Sequence, residues 1–110
     1  TPAAAAAPTP ARAREDDKQR KRREADERRE RNKVLGPLEK RVAELEERIT
    51  ALETAQAARS AALADPEVYA DDARRRKLLS EYQGDQEKLD DLTARWEAAA
   101  GELEAARARM

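Results

Sequence analysis

LGPLEKRVAELEERITALETAQAARSAAL (residues 35–63) is followed, after a short corner, by LLSEYQGDQEKLDDLTARWEAAAGELEAARARM (residues 78–110), and how these two stretches pair decides the fold. In the first, apolar side chains fall at Leu35, Leu38, Val42, Leu45, Ile49, Leu52 and Leu63. In the second they fall at Leu78, Tyr82, Leu89, Leu92, Trp96, Ala99, Leu103, Ala106 and Met110. Alternating steps of three and four make the seam of a coiled coil. If the chain doubles back at Asp65-Pro66 so that facing residue numbers sum to 141, Leu35 meets Ala106 and Leu38 meets Leu103. Val42 then meets Ala99, Leu45 meets Trp96, Ile49 meets Leu92, Leu52 meets Leu89 and Leu63 meets Leu78. Each layer sets an a position against a d position, as antiparallel helices do. The expected fold is therefore all-α: a two-helix antiparallel coiled-coil hairpin with a flexible, charged N-terminal arm. Residues 1–33 form a disordered or partly helical Pro/Ala-rich and basic linker. Residues 34–110 form the hairpin, with helices at about 37–64 and 72–109 and a turn at about 65–71. A monomer follows; an intermolecular dimer of straight helices is the competing arrangement.

Two layers depart from the apolar rule. Gln56 faces Asp85, and Arg59 faces Tyr82. Arg59 can lie over the Tyr82 ring and reach Asp85, which would pin the register. The plainer expectation, and the one preferred, is that a narrow two-helix seam leaves these groups partly wet and merely tolerated. Among flanking charges, Arg41 faces Glu102 favourably while Arg48 faces Arg95.

Composition narrows the class. Charged residues are 43% of the chain and aromatics 3%, with no Phe, so a globular core is out of reach. Abundant Ala, Glu, Arg and Leu with heptad periodicity is a coiled-coil composition. The chain has no cysteine and no histidine, which excludes disulfides and thiolate or imidazole metal sites and is compatible with a reducing cytosol. No stretch reads as a membrane span or a secretion signal.

Residues 1–10 carry three of the five prolines among alanines and read as a tether cut from something longer. Residues 11–33 are different: eleven Lys or Arg stand against seven acids, an excess of +4, whereas the rest of the chain from Val34 carries −5. The net charge of −1 thus hides a basic arm on an acidic rod. Clustered cations with almost no apolar neighbours attract a phosphate backbone through counterion release. Equally open is a solvated helix laced with its own ion pairs, such as Glu24 with Arg28 and Glu27 with Arg31. The candidate nucleic-acid contacts are Lys18, Arg20, Lys21, Arg22, Arg23, Arg28, Arg29, Arg31 and Lys33 in the arm. Arg74, Arg75, Arg76 and Lys77 join them near the corner, where Asp65, Glu67, Asp71 and Asp72 offset their charge.

Gly36-Pro37 is expected to interrupt any helix arriving from the arm, with Pro37 opening the next. At the corner, Asp65 can cap, Pro66 presets the first helical position, and Asp71 or Asp72 can cap the returning helix. Val68 and Tyr69 are expected to tuck against the end of the seam. Gly84 and Gly101 weaken the second helix, and Gly84 beside Asp85 marks a soft point. Catalytic equipment is missing. There is no G-x-x-x-x-G-K-[ST] loop, Ser60 and Ser80 have no histidine, and Glu46-Glu47 and Asp90-Asp91 lie on convex, wet surface. The chain does not read as an enzyme.

Leu63-Ala64-Asp65-Pro66-Glu67-Val68-Tyr69, with Arg95-Trp96-Glu97 further on and Leu45-Glu46-Glu47-Arg48-Ile49 and Leu52-Glu53 before it, resembles the C-terminal coiled-coil domain of ABC-F ATPases. These are the soluble, non-transporting ABC proteins that include Uup and ribosome-acting relatives. The resemblance spans roughly Leu35 to Leu103. It implies a cytoplasmic accessory domain tethered to tandem ATPase cassettes outside this chain, where ATP and Mg would be held, and no cofactor in the chain itself. It also implies nucleic-acid binding, to DNA or to ribosomal RNA or tRNA surroundings, with the ribosome as a further partner and no membrane. Asp65, Pro66, Tyr69 and Trp96 would be structural on that basis. Two departures are the sharp Gly36-Pro37 break and a rod less basic than a dedicated DNA binder. A spacer or docking hairpin for the cassettes, without nucleic acid, is the alternative.

Overall fold

Leucines spaced for a seam on two long, Ala- and Glu-rich segments favour helix throughout, and helix is what forms. The computed structural model describes residues 10–110. The tether expected at residues 1–10 therefore lies, apart from Pro10, outside the described residues. Helix α1 runs Pro10–Leu63, a short α2 runs Pro66–Ala70, and α3 runs Asp72–Ala108 back along α1. The described residues form a rod of 101 × 22 × 20 Å.

The expected break at Gly36-Pro37 does not occur: α1 passes through Pro37 without interruption. Proline forfeits one i→i−4 hydrogen bond and normally crowds the Cβ of the residue before it. Gly36 has no Cβ to crowd, and the carbonyl left without its donor belongs to Lys33, which is exposed and open to water. Leu35 and Leu38 sit half-buried on either side, so packing holds the turn that proline weakens. The residues at 33 and 34, expected to divide linker from hairpin, lie within one helix.

The seam matches the expected pairing. Leu45, Leu92 and Ala99 are buried together, with Val42, Ile49, Leu52 and Trp96 packed against them. Leu89, Leu103 and Ala106 are buried as well. Bonds between the helices hold the same register: Trp96 Nε1 donates to Glu46 Oε1 at 3.0 Å, and Arg107 reaches Glu39 at 3.5 Å. Of the flanking charges, Arg95 pairs with Asp91 on its own helix at 3.1 Å.

The polar layer is drier and better paired than expected. Asp85 is only 6% exposed and receives the Arg59 guanidinium, whose Nε also donates to Glu81 at 3.0 Å. Gln56 does not engage Asp85; its amide donates to Gln86 at 3.0 Å and to the Tyr82 carbonyl at 3.5 Å. Among the described residues the guanidinium stacked on a tyrosine is Arg75 over Tyr69, not Arg59 over Tyr82. Arg59 is long enough to snorkel, so its stem lies in the seam while its head bridges two carboxylates at the edge. The Glu81 hydrogen bond, opposed by partial desolvation and aided by Asp85, holds the Arg59 pKa above its ordinary value.

At the corner, the Asp65 side chain accepts from Glu67 N–H at 3.0 Å with Pro66 opening α2. Asp71, rather than Asp72, caps α3 by accepting from Arg74 N–H at 3.2 Å. Val68 is buried as expected, but Tyr69 is 55% exposed. A five-residue helix shows one face to the seam, and Val68 takes it.

Gly84 and Gly101 sit mid-helix, and a Cβ at either meets nothing within 4 Å. Gly84→Ala and Gly101→Ala are each expected to raise unfolding free energy by about 0.5–1 kcal/mol, because alanine removes backbone freedom from the unfolded chain. Gly36→Ala is expected to give no gain, since its new methyl would meet the Pro37 ring. Thermal unfolding of the three variants checks this; equal gains at all three positions would contradict the account of Pro37.

Candidate nucleic-acid interface

Because α1 is one helix, every cation of the arm has a definite side. At 3.6 residues per turn, Arg14, Lys18, Lys21, Arg22, Arg28 and Arg29 share a face about 120° wide. No acid of the arm lies on that face. All seven, Glu15, Asp16, Asp17, Glu24, Asp26, Glu27 and Glu30, lie on the remainder together with Arg12, Arg20, Arg23, Arg31 and Lys33.

Ion pairing follows the same division. Arg20 pairs with Asp17 at 3.1 Å and Glu24 at 4.0 Å, and Lys33 pairs with Glu30 at 3.1 Å, all away from the basic face. Arg29 pairs with Asp26 at 3.2 Å across its edge. The anticipated Glu24–Arg28 and Glu27–Arg31 pairs do not form: the acids are taken i−3 to their partners at Asp17, Asp26 and Glu30, with Glu24 turned back to Arg20. Arg14, Lys18, Lys21, Arg22 and Arg28 are exposed and make no ion pair among the described residues. Isolated surface pairs of this kind contribute about 0–1 kcal/mol, so they do not lock the arm against a stronger anion.

Of the expected contacts, the arm thus brings together Lys18, Lys21, Arg22, Arg28 and Arg29 and sets Arg20, Arg23, Arg31 and Lys33 apart. Arg14, one of the eleven arm cations but not among the expected contacts, completes the face, because the face is set by helical angle rather than by density along the sequence. The corner cations are mostly committed. Arg75 is held by Asp72 and by the Tyr69 carbonyl at 2.7 Å, with its guanidinium 5.2 Å from the Tyr69 ring centre. Arg76 pairs with Asp72 at 3.1 Å and Lys77 with Glu81 at 4.0 Å; Arg74 makes no ion pair among the described residues. Arg48 and Arg95, which the pairing sets face to face, line one open groove with Arg41, Lys40 and Glu44.

Among the described residues, no group of acidic side chains converges to hold a metal ion. No described helix is long and apolar enough to cross a membrane.

Among the described residues, two long helices packed around a capped corner make an antiparallel helical hairpin. The family described as ABC transporter C-terminal domain matches residues 37–100, and the chain belongs to that family, as the C-terminal domain of an ABC-F-like ATP-binding protein. Its place is that of an accessory domain and not a catalytic cassette. No curated protein and no solved structure matches the chain. The match begins at Pro37, so the basic face of the arm lies wholly outside it.

Proposed function

We propose that this chain is a nucleic-acid-binding accessory domain of a cytoplasmic ABC-F ATPase, acting electrostatically through its arm. ATP and Mg belong to the parent protein's cassettes in this scheme, and DNA or ribosomal RNA is the polyanion bound. The carrying observation is the segregation of charge on one continuous helix: six cations on one side, none of the arm's acids among them. A merely solvated helix mixes its signs around the axis, and this arm does so only on its other side. Each phosphate neutralised releases condensed counterions, so six contacts give a slope of log K against log salt of about −5 on duplex. Affinity for a short labelled duplex should accordingly fall about a thousandfold between ~50 and ~200 mM salt. Binding unchanged across that range would overturn the proposal.

The second reading is a hairpin that spaces or docks the ATPase cassettes. What favours it is the corner, where three of the four expected cations are tied to neighbouring acids and Tyr69 and Leu79 are exposed. It would show as binding to the parent cassettes that survives charge reversal in the arm.

A further inference from the structure

We infer that the arm lies along the outside of a single phosphodiester backbone, through Arg14, Lys18, Lys21, Arg22, Arg28 and Arg29, and does not enter a duplex groove. The inference rests on the nucleic-acid reading above and specifies its geometry. An α-helix with its side chains is about 10–12 Å across and fills a B-form major groove about 12 Å wide. A helix seated there has phosphates against both flanks. Both flanks of this arm are acidic at the border of the basic face: Asp17 and Glu24 on one edge, Glu15 and Asp26 on the other. Groove insertion would press carboxylates against both phosphate walls, whereas contact by the basic face alone leaves every acid turned toward solvent.

The rest of the molecule leaves this face open. Met110, at the end of α3, shares a groove with Arg23, Glu27 and Val34, which lie on the opposite side of α1. From Arg14 to Arg29 the face extends about 22 Å at 1.5 Å per residue, a track suited to a few successive phosphates of one strand. Contacts confined to one backbone do not distinguish the groove dimensions of A-form and B-form duplexes. Duplex DNA and duplex RNA of equal length should therefore bind with similar affinity. Arg20, Arg23, Arg31 and Lys33 contribute little despite adjoining the basic residues in sequence.

The test uses the full 110-residue chain, two charge-matched triple variants and three probes of one mixed sequence. The probes are duplex DNA, duplex RNA, and duplex DNA bearing bulky C5-pyrimidine groups that fill the major groove. Lys18→Glu/Lys21→Glu/Arg22→Glu should weaken binding to all three by about a hundredfold. Arg20→Glu/Arg23→Glu/Arg31→Glu should weaken it by less than about fivefold near 0.15 M salt, where screening acts over ~8 Å. Circular dichroism of both variants confirms that the helix is intact. Equal losses in the two variants would overturn the one-sided geometry while leaving electrostatic binding standing. DNA binding much tighter than RNA binding, abolished by the C5 groups, would also overturn it, in favour of groove insertion. Failure of the unaltered chain to titrate with any duplex would instead remove the nucleic-acid proposal, and this one with it.

Discussion

Leu92→Ala is expected to lower unfolding free energy by about 2–4 kcal/mol, enough to leave the hairpin largely unpaired at modest temperature. Leu92 is 3% exposed and sits with Leu45 and Ala99 at the centre of the seam. Leu45 and Ala99, with Val42, Ile49, Leu52 and Trp96 packed against them, would line the space it vacates. The loss weighs heavily since, among the described residues, only seven apolar side chains are buried, Val68 of the corner included. Leu79 provides the internal control: it is 42% exposed, and Leu79→Ala should change stability by less than about 0.5 kcal/mol. Thermal melts followed by far-ultraviolet circular dichroism compare the two, and a Leu79 effect rivalling that of Leu92 would mean the helices pair on another face.

The second large effect concerns Arg59. Arg59→Leu should lower Tm clearly, because Asp85 would remain buried without the cation that compensates it. Arg59→Leu/Asp85→Leu should recover the loss and exceed the parent in Tm, since apolar side chains suit the seam better than a desolvated pair. The melting order expected is double variant, parent, single variant. The double variant should also lose its single register, for nothing polar would then specify which layers face one another. Spin labels in the two helices would show this as a broadened distance distribution. A double variant no more stable than the single one would mean that Asp85 gains little from Arg59.

Most of the hairpin could be read from the spacing of its leucines, because a seam needs one register and only one aligned so many layers. Leu45 with Trp96 and Ile49 with Leu92 follow from counting alone. The polar layer was less legible: counting sets Gln56 across from Asp85, yet arginine's reach lets Arg59 take that carboxylate from one turn away. Between Val68 and Tyr69 the sequence does not choose, since a single turn of helix can bury one side chain and either could take the place. The cost of Pro37 depends on the residue before it. A glycine before a proline eases the very clash that normally ends a helix. The basic face was hidden by adjacency: Arg20-Lys21-Arg22-Arg23 looks like one patch in sequence, but α1 sends Lys21 and Arg22 one way and Arg20 and Arg23 another.

The unbroken passage of α1 through Pro37 makes the protein a ruler. Arg22 and Leu63 are joined by continuous helix, which sets the basic face and the hairpin corner about 60 Å apart at 1.5 Å per residue. Two bodies gripped at these stations are kept at a fixed separation and a fixed angular offset. Inserting residues between them would change both together, by about 1.5 Å and 100° for each residue added.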